Sequence, residues 1–469
     1  MEAREKESAR WVWPVGYAVC AAGFALAVVA FYPGYMSPDS MSQLTQGRAW
    51  EFTDWHPPLM AALWGLLDRV FPGPAGMLVL HNAAYWGAAA LFWRATYRRS
   101  AWLGLGLAGF GFMPQVLSNL STVWKDVGMG VSLLLASALL YRSRQTGSKA
   151  ALLASAPLLF YGYGVRLNAA PAVLPLALWA GFLACRVLTP LRPWAARRPR
   201  LLPAAVGCAY FLALTGAVTL TTEALVRGNH AYAGQTVLLH DLAAVSVARG
   251  EPLFPEYIVA DEHFSMEKVA QRYAPYISTA IVGFENSGLR LSGDPRDMEA
   301  LRAKWLEVVA RNPGAYLRHR WAAFEWAAGL NRPEVCFPYL IASYGRFDYK
   351  TNDLAVHRLL KAYFWAARNT LLFRGFFWLL VALALLYFSL RGRLRGDLEL
   401  VFVLALSGLL YGAAYFFIAP SCDFRFFWWT MLAATAGLLF FTSFAAGRLR
   451  ESYRARRAAS AVARPRGAA

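Results

Sequence analysis

The feature that most constrains this chain is a series of long, uncharged apolar runs that recur along its length. A helix needs about 20 apolar residues to cross the hydrocarbon core of a bilayer, and several runs approach that length. Charged residues make up only 16% of the chain, whereas soluble domains carry about 25%. The sequence therefore predicts an all-α, polytopic membrane protein.

Ten transmembrane helices are predicted from these runs, near residues 12–32, 76–95, 101–119, 127–141, 150–164, 169–187, 201–222, 371–390, 399–418 and 426–446. The basic breaks between them alternate along the series, which favours a cytoplasmic location for both termini. The first run is longer than the apolar part of a signal peptide and is expected to be retained. Abundant Arg and Ala are typical of a GC-rich bacterium, so we expect a multi-pass protein of the bacterial cytoplasmic membrane.

The count of ten requires that residues 56–71 do not span. This stretch opens with Pro57-Pro58 and carries Asp68-Arg69 near its end. Burying these two charges in lipid would cost several kcal/mol, and counting the stretch as a span would reverse the alternation of basic breaks. We therefore expect an amphipathic helix at the outer interface.

Four parts follow from this arrangement: a transmembrane module over 1–222 with a first outer loop at 32–77, an extracytoplasmic domain over 223–370, C-terminal membrane helices over 371–447 and a basic cytoplasmic tail over 448–469. The second part is the only one able to form a soluble domain. Within it, Asp294-Pro295 predicts a helix start, and a second helix is expected over 315–330. This domain should be mainly helical.

Charge and cysteine content exclude other classes. The net charge of +19 is dispersed through the breaks and tails, whereas nucleic-acid binding needs a basic face on a folded domain. Five cysteines without a CxxC pair exclude a metal knuckle. Cys336 and Cys422 lie outside the apolar runs on the expected oxidising side, where a disulfide and two unrelated thiols are both open alternatives.

The first outer loop concentrates groups that handle protons. It contains Asp39, Gln43, Asp54 and His56 close to the expected membrane surface. Each has an ordinary structural interpretation, and Asp39 in particular could cap a short helix over 40–46. Together they favour a site that deprotonates a hydroxyl group.

Three further outer loops each place a cation beside a polar partner. They contain Lys125-Asp126, Arg166 with Asn168, and Asp423 with Arg425. Local ion pairing, within Lys125-Asp126 or between Asp423 and Arg425, is the structural alternative. Because these loops are otherwise nearly uncharged, the cations indicate a site for an anionic lipid headgroup, since Arg and Lys are the usual phosphate ligands.

At these residues the chain resembles the C-type membrane glycosyltransferases, which have the GT-C fold. The resemblance lies in Ser37-Pro38-Asp39-Ser40 followed by Asp54-Trp55-His56-Pro57-Pro58-Leu59, similar to motifs of the protein mannosyltransferase and aminoarabinose transferase relatives. Residues 312–321 also resemble a stretch in uncharacterised bacterial members. The chain lacks the Asp-Asp or Asp-Glu pair of some relatives. By position, Asp39 corresponds to the catalytic base, and His56 stands where relatives often have Lys.

The resemblance implies an inverting transfer of a hexose or pentose from a polyprenyl phosphate to the hydroxyl of a lipid, glycan or protein acceptor in the cell envelope. Asp39 and Asp54 are the expected catalytic residues, and the expected substrate-binding residues are Gln43, His56, Lys125, Asp126, Arg166, Asn168, Asp423 and Arg425. The chemistry requires no cofactor, and a divalent cation is an open alternative. A glycan polymerase or ligase, a flippase or transporter for lipid-linked substrates, and a non-catalytic assembly factor are the rival functions.

Overall fold

The computed structural model describes residues 2–98, 100–282, 289–331, 336, 338–340, 347 and 349–462. The chain is 75% helical, and the part described contains isolated β-bridges but no strand. The prediction of an all-α architecture is confirmed.

The first half of the chain contains α1 (Glu2–Phe31), α2 (Pro38–Ala49), α3 (Pro58–Asp68), α4 (Ala75–Thr96), α5 (Ala101–Gly109), α6 (Pro114–Leu120), α7 (Lys125–Thr146), α8 (Lys149–Gly164), α9 (Ala170–Val187), α10 (Arg192–Arg197) and α11 (Leu201–Val226). The second half contains α12 (Gln235–Arg249), α13 (Glu256–Val259), α14 (Met266–Arg272), α15 (Pro295–Arg311), α16 (Pro313–Ala327), α17 (Ala355–Ala367), α18 (Gly375–Arg391), α19 (Leu398–Ile418) and α20 (Trp428–Val462). Helix α20 extends into the predicted basic tail, and residues 463–469 lie outside the described part.

All ten predicted spans coincide with helices, but the count of ten spans is not supported. Five helices in the described residues are long and apolar enough to cross a membrane, or six if the bent pair α5–α6 forms one span. Helices α8 and α18 have 16 and 17 residues, which give about 24–26 Å of helix, less than a bilayer core of about 30 Å. Helices α4 and α7 are longer but carry polar residues such as His81 and Asp126 in their buried faces.

Helix α7 lies at the centre of the helical bundle, where it contacts α4, α8, α9 and α20. Helices α18, α19 and α20 pack against one another, and α19 also packs on α9. Helices α9 and α11 approach most closely at Gly181 and Gly207, where a Cβ atom on either glycine would collide with the backbone of the other helix. The bundle therefore brings the ends of α7, α9, α19 and α20 close together.

The short helix α3 corresponds to the stretch that we excluded from the spans. Its eleven residues give about 16 Å of helix, too short to cross a bilayer. It packs against α2 at Gly47 and Gly65, where a side chain on either residue would strike the facing backbone. Asp68 forms a bidentate ion pair with Arg48 at the end of α2, with nitrogen–oxygen distances of 2.8 and 2.9 Å.

Residues 227–374, which we call the long connection, join α11 to α18, and their described part contains the six α-helices α12 to α17. Helices α12 and α15 share a separate hydrophobic core that includes Leu239, Leu242 and Leu301. The predicted start of α15 is confirmed, because the Asp294 side chain accepts a hydrogen bond of 2.8 Å from the Arg296 amide. The second predicted helix is α16.

A disulfide bond joins Cys336 in the long connection to Cys422 in the loop between α19 and α20. Their Cα atoms lie 5.4 Å apart, within the usual range for a disulfide. Of the two alternatives left open by the sequence, the structure has the disulfide. It ties the long connection to the loop that contains Asp423 and Arg425.

Candidate functional site

Two distant stretches of chain run side by side at one end of the bundle. The backbone of Tyr35 accepts from the Val123 amide and donates to the Ser121 carbonyl, each at 2.9 Å. The Ser40 hydroxyl donates to the Val123 carbonyl at 2.7 Å, and the Trp124 indole donates to the Ser37 hydroxyl at 2.9 Å. This pairing places the start of α2, with Asp39, beside the start of α7, with Lys125.

Asp39 does not cap α2, so the structural alternative for this residue is wrong. Ser37 is the N-cap, and its hydroxyl accepts from the Ser40 amide while the Ser40 hydroxyl accepts from the Ser37 amide. The Asp39 carboxylate is thus released from capping and projects from the first helical turn. That position favours the ionised form, because the amide end of a helix carries partial positive charge.

Arg425, which lies near the C-terminal end of the sequence, forms an ion pair with Asp39. Its Nη1 lies 2.8 Å from Asp39 Oδ2, and its Nη2 lies 3.4 Å from Asp423 Oδ2. The guanidinium carbon is 4.8 Å from the centre of the Trp124 ring and 5.4 Å from that of Phe426. Aromatic faces hold a guanidinium through cation–π attraction, so these rings fix the direction in which Arg425 points.

His56 connects Asp39 to Lys125. The Lys125 ammonium lies 2.7 Å from His56 Nδ1, and His56 Nε2 lies 4.0 Å from Asp39 Oδ1. Because an ammonium group only donates, we assign Nδ1 as the acceptor and place the ring proton on Nε2, facing Asp39. Burial and the charge of Lys125 lower the pKa of His56 to about 3, so the imidazole is neutral near pH 7.

Opposing effects act on Asp39. Burial alone would raise the pKa of its carboxyl group, but the charges of Arg425 and Lys125 hold that pKa well below its ordinary value. Asp39 is consequently ionised throughout the physiological range. As long as Arg425 is bound to it, Asp39 is a weak base.

Arg166 forms a second, deeper ion pair. Its Nη1 lies 3.1 Å from Asp126 Oδ1, and its Nη2 donates to the Tyr415 hydroxyl at 2.6 Å. The side chains of Arg166 and Asp126 are only 9% and 1% exposed. The local pairing of Asp126 with Lys125 that the sequence offered as an alternative is replaced by a pair formed between α7 and the turn before α9.

Replacing Arg166 with methionine is expected to destabilise the protein by about 3–5 kcal/mol, because Asp126 would remain as a buried, unpaired charge. The double variant Asp126→Leu/Arg166→Met should recover most of that loss, since it removes both charges. Thermal unfolding in detergent measures both effects. Equal stability of the single variant and the unaltered protein would show that the pair has no such role.

Exposure separates the site into an accessible layer and a sealed layer. The side chains of Asp39, Asp423 and Arg425 are 29%, 34% and 15% exposed, so a substrate can reach them. The Arg166–Asp126 pair lies behind, and its guanidinium carbon is 5.5 Å from the same Phe426 ring that Arg425 contacts. The three cations of the site are matched by the carboxylates of Asp39, Asp126 and Asp423, so its formal charge is balanced at rest.

The remaining predicted site residues, Gln43, Asn168 and Asp54, lie outside the group formed by Asp39, His56, Lys125 and Arg425. Gln43 is buried one turn below Asp39 and donates to the Asp39 carbonyl at 3.2 Å, while Asn168 lies partly buried two residues beyond Arg166. Asp54 faces the long connection, where it pairs with His230 at 3.0 Å and accepts from the amides of Ala231 and Tyr232. These contacts tie Asp54 to residues 230–232 of the long connection, and its catalytic role stays a prediction.

Tyr415 and Phe426 contact the site cations but were not among the predicted site residues. Tyr411 and Tyr415 lie one turn apart on helix α19, which is mostly apolar, and their hydroxyls are 3.0 Å apart. Two hydroxyls on one buried helical stripe need polar partners, which is the signal that could have identified Tyr415. Phe426 gave no such signal, because aromatic residues surround it in the sequence.

In the residues that the structure describes, no group of three or more His, Cys, Asp or Glu side chains could hold a metal ion. The Asp39 carboxylate is engaged by Arg425, His56 Nδ1 accepts from Lys125, and His56 Nε2 carries the ring proton. Neither imidazole nitrogen has a free lone pair beside Asp39, so the donor set at the site does not fit a divalent cation. Comparison with models of protein families, with curated protein sequences and with solved structures finds no match to this chain.

Proposed function

We propose that this protein is a membrane glycosyltransferase that moves a sugar from a polyprenyl phosphate to an acceptor hydroxyl at the outer face of the bacterial cytoplasmic membrane. The observation that carries the proposal is the contact between Asp39 and Arg425, with Lys125 and His56 beside them, at one end of the helical bundle. A carboxylate can accept a proton from a hydroxyl, and the cations can hold a phosphate.

The reaction forms a bond between the acceptor oxygen and the anomeric carbon as the bond from that carbon to the phosphate oxygen breaks. The hydroxyl proton passes to Asp39, and polyprenyl phosphate leaves as a monoester. Arg425 and Lys125 stabilise the negative charge that grows on the leaving oxygen, and aligned cations of this kind often supply the largest catalytic contribution. Attack opposite the leaving group inverts the configuration at the anomeric carbon.

Because Arg425 is paired with Asp39, donor binding is also expected to change the basicity of Asp39. A phosphate that binds Arg425 competes with Asp39 for the same guanidinium, because Arg425 Nη1 lies 2.8 Å from the Asp39 carboxylate. Loss of that hydrogen bond moves the pKa of Asp39 back toward its ordinary value. Asp39 therefore becomes a stronger base only when the donor is in place, which limits its reaction with other molecules.

An apolar cavity of about 270 Å³ suits the first part of a polyprenyl chain. Its lining consists of Tyr35, Tyr339, Leu340, Lys361, Ala362, Phe364 and Trp365. Tyr35 lies in the stretch that pairs with residues 121–123 and leads into α2, which contains Asp39. We assign the lipid tail of the donor to this cavity.

The proposal is tested with the purified protein in lipid vesicles, supplied with polyprenyl-phosphate-linked hexoses and pentoses and with membrane extract as the source of acceptors. Release of polyprenyl phosphate together with a glycosylated product is the expected result. Movement of the labelled lipid between leaflets without release would instead favour a flippase. Absence of both would contradict the proposed function.

Lys125→Met is expected to weaken donor binding by about ten- to a hundredfold, because a hydrogen bond to a charged group contributes about 1.5–3 kcal/mol. Lys149→Met is the matched control, since Lys149 is an exposed lysine at the start of α8. Equilibrium binding of polyprenyl phosphate measures both variants. Equal affinities would remove Lys125 from the phosphate site.

A further inference from the structure

The loop that presents Arg425, residues 419–425, is held by the long connection at several successive positions; we call it the arginine loop. The Pro420 carbonyl accepts a hydrogen bond of 2.8 Å from the Ser278 amide, and Ser421 forms a β-bridge with Ile277. Cys422 is bound to Cys336 through the disulfide. The residues just before Arg425 are therefore fixed by the long connection as well as by the helices α19 and α20.

Arg320 holds the beginning of the same loop from within the protein. This residue lies on α16 and is fully buried. Its Nη1 donates to the Ala419 carbonyl at 3.5 Å, and its Nη2 donates to the Val237 carbonyl on α12 at 3.2 Å. One guanidinium thus joins α12, α16 and the first residue of the arginine loop.

A buried carboxylate fixes Arg320 in turn. Asp241 Oδ1 lies 2.6 Å from Arg320 Nη2, and Asp241 Oδ2 accepts a hydrogen bond of 2.8 Å from the Trp305 indole. His319 Nε2 lies 3.3 Å from the same carboxylate, while its Nδ1 lies 2.7 Å from the Tyr273 hydroxyl. Burial alone would raise the pKa of Asp241, but His319 and Arg320 lower it, so this carboxylate stays ionised.

The cluster formed by Asp241, His319 and Arg320 has no contact with Asp39, Lys125 or His56 in the described structure. It does contact the arginine loop, through the hydrogen bond from Arg320 to the Ala419 carbonyl. Burying a charged pair is costly, and in some proteins such a pair specifies one geometry of the segments that it joins. A planar guanidinium can reach a carboxylate and two carbonyls at once, whereas a lysine ammonium concentrates its donors at one point.

We infer that Arg320 is a positioning residue for Arg425, through which the long connection sets the reach of Arg425 toward Asp39 and the donor phosphate. The identity of the ligand in this inference rests on the proposed function. The structural part of the inference, that Arg320 holds the arginine loop in place, is independent of that function. The long connection therefore contributes to the phosphate site by fixing the position of Arg425.

The structural part is tested by hydrogen–deuterium exchange of the full chain in detergent, with Arg320→Lys, which keeps the charge opposite Asp241. We expect exchange in residues 419–425 to become about tenfold faster, equivalent to about 1.4 kcal/mol of local opening free energy. Arg318→Lys is the matched control, because Arg318 is an exposed arginine two residues away on the same helix. Unchanged exchange in Arg320→Lys would overturn the inference.

The functional part is tested by a double-variant cycle on the binding of polyprenyl phosphate. Arg320→Lys should weaken binding by about tenfold in the unaltered protein but cause no further loss in an Arg425→Met background, because it acts through Arg425. Equal losses in both backgrounds would show that Arg320 acts independently of Arg425 and would contradict the inference. If the unaltered protein does not bind polyprenyl phosphate, the proposed function fails, and the exchange experiment still decides whether Arg320 holds the loop.

Discussion

Asp39→Asn should lower the rate of sugar transfer by about 10²–10⁴-fold, the usual contribution of a general base. Asparagine keeps the shape of the side chain and an oxygen that can accept from Arg425, but it cannot take up the proton of the acceptor hydroxyl. Donor binding should change far less than the rate, because Asp39 competes with the phosphate for Arg425 and does not hold it. Single-turnover transfer with a labelled donor separates the two quantities.

Asp423→Asn is the control for this variant. Asp423 also contacts Arg425, at 3.4 Å, and is slightly more exposed than Asp39. If the charge near Arg425 were the only requirement, both variants would lose activity equally, whereas a proton-accepting role confines the large loss to Asp39. A nearly normal rate for Asp39→Asn in correctly folded protein would remove the central assignment of the mechanism.

Arg425→Met is expected to reduce the maximal rate by about 10²–10³-fold, comparable to removing one donor that stabilises a developing negative charge. The loss arises because the leaving phosphate no longer has the accessible guanidinium that stabilises its developing charge. Arg425→Lys should recover part of the rate, since it restores the charge without the planar, two-sided contact. The measurement is turnover at saturating donor.

Arg358→Met provides the comparison for Arg425→Met, because Arg358 is an exposed arginine of the long connection that pairs with Asp353 at 3.1 Å. Its replacement should leave turnover unchanged. If Arg425→Met and Arg358→Met were equally active, the contact between Arg425 and Asp39 would have no catalytic meaning.

Sequence patterns predicted the helices better than their relation to the membrane. Hydrophobic runs set where each of the ten predicted segments forms a helix, and Asp294-Pro295 correctly marked the start of α15. Whether a helix spans depends also on its length and its buried polar groups. Helix α7 buries Asp126 against Arg166 inside the bundle, and a window of apolar character alone cannot foresee that pairing.

The candidate site was partly predictable, because short loops join antiparallel helices, and every second loop therefore lies at the same end of a bundle. Sequence could not determine which charges meet. Asp39 and Arg425 are 386 residues apart in the chain and touch only through the packing of α2, α7 and the arginine loop. Asp54 shows the opposite case, since its closeness to His56 in the sequence suggested a shared role, while the fold directs it to residues 230–232.

In the proposed orientation, the disulfide between Cys336 and Cys422 would link completion of the site to translocation of the long connection. Cysteine pairs of this kind form in oxidising compartments and remain reduced in the cytosol. With the proposed orientation, the loop that presents Arg425 is locked only after the long connection has been translocated. A copy inserted in the opposite orientation would keep both thiols reduced, so its arginine loop would lack the disulfide. Such a copy would transfer fewer sugars from donors that still face the cytoplasm.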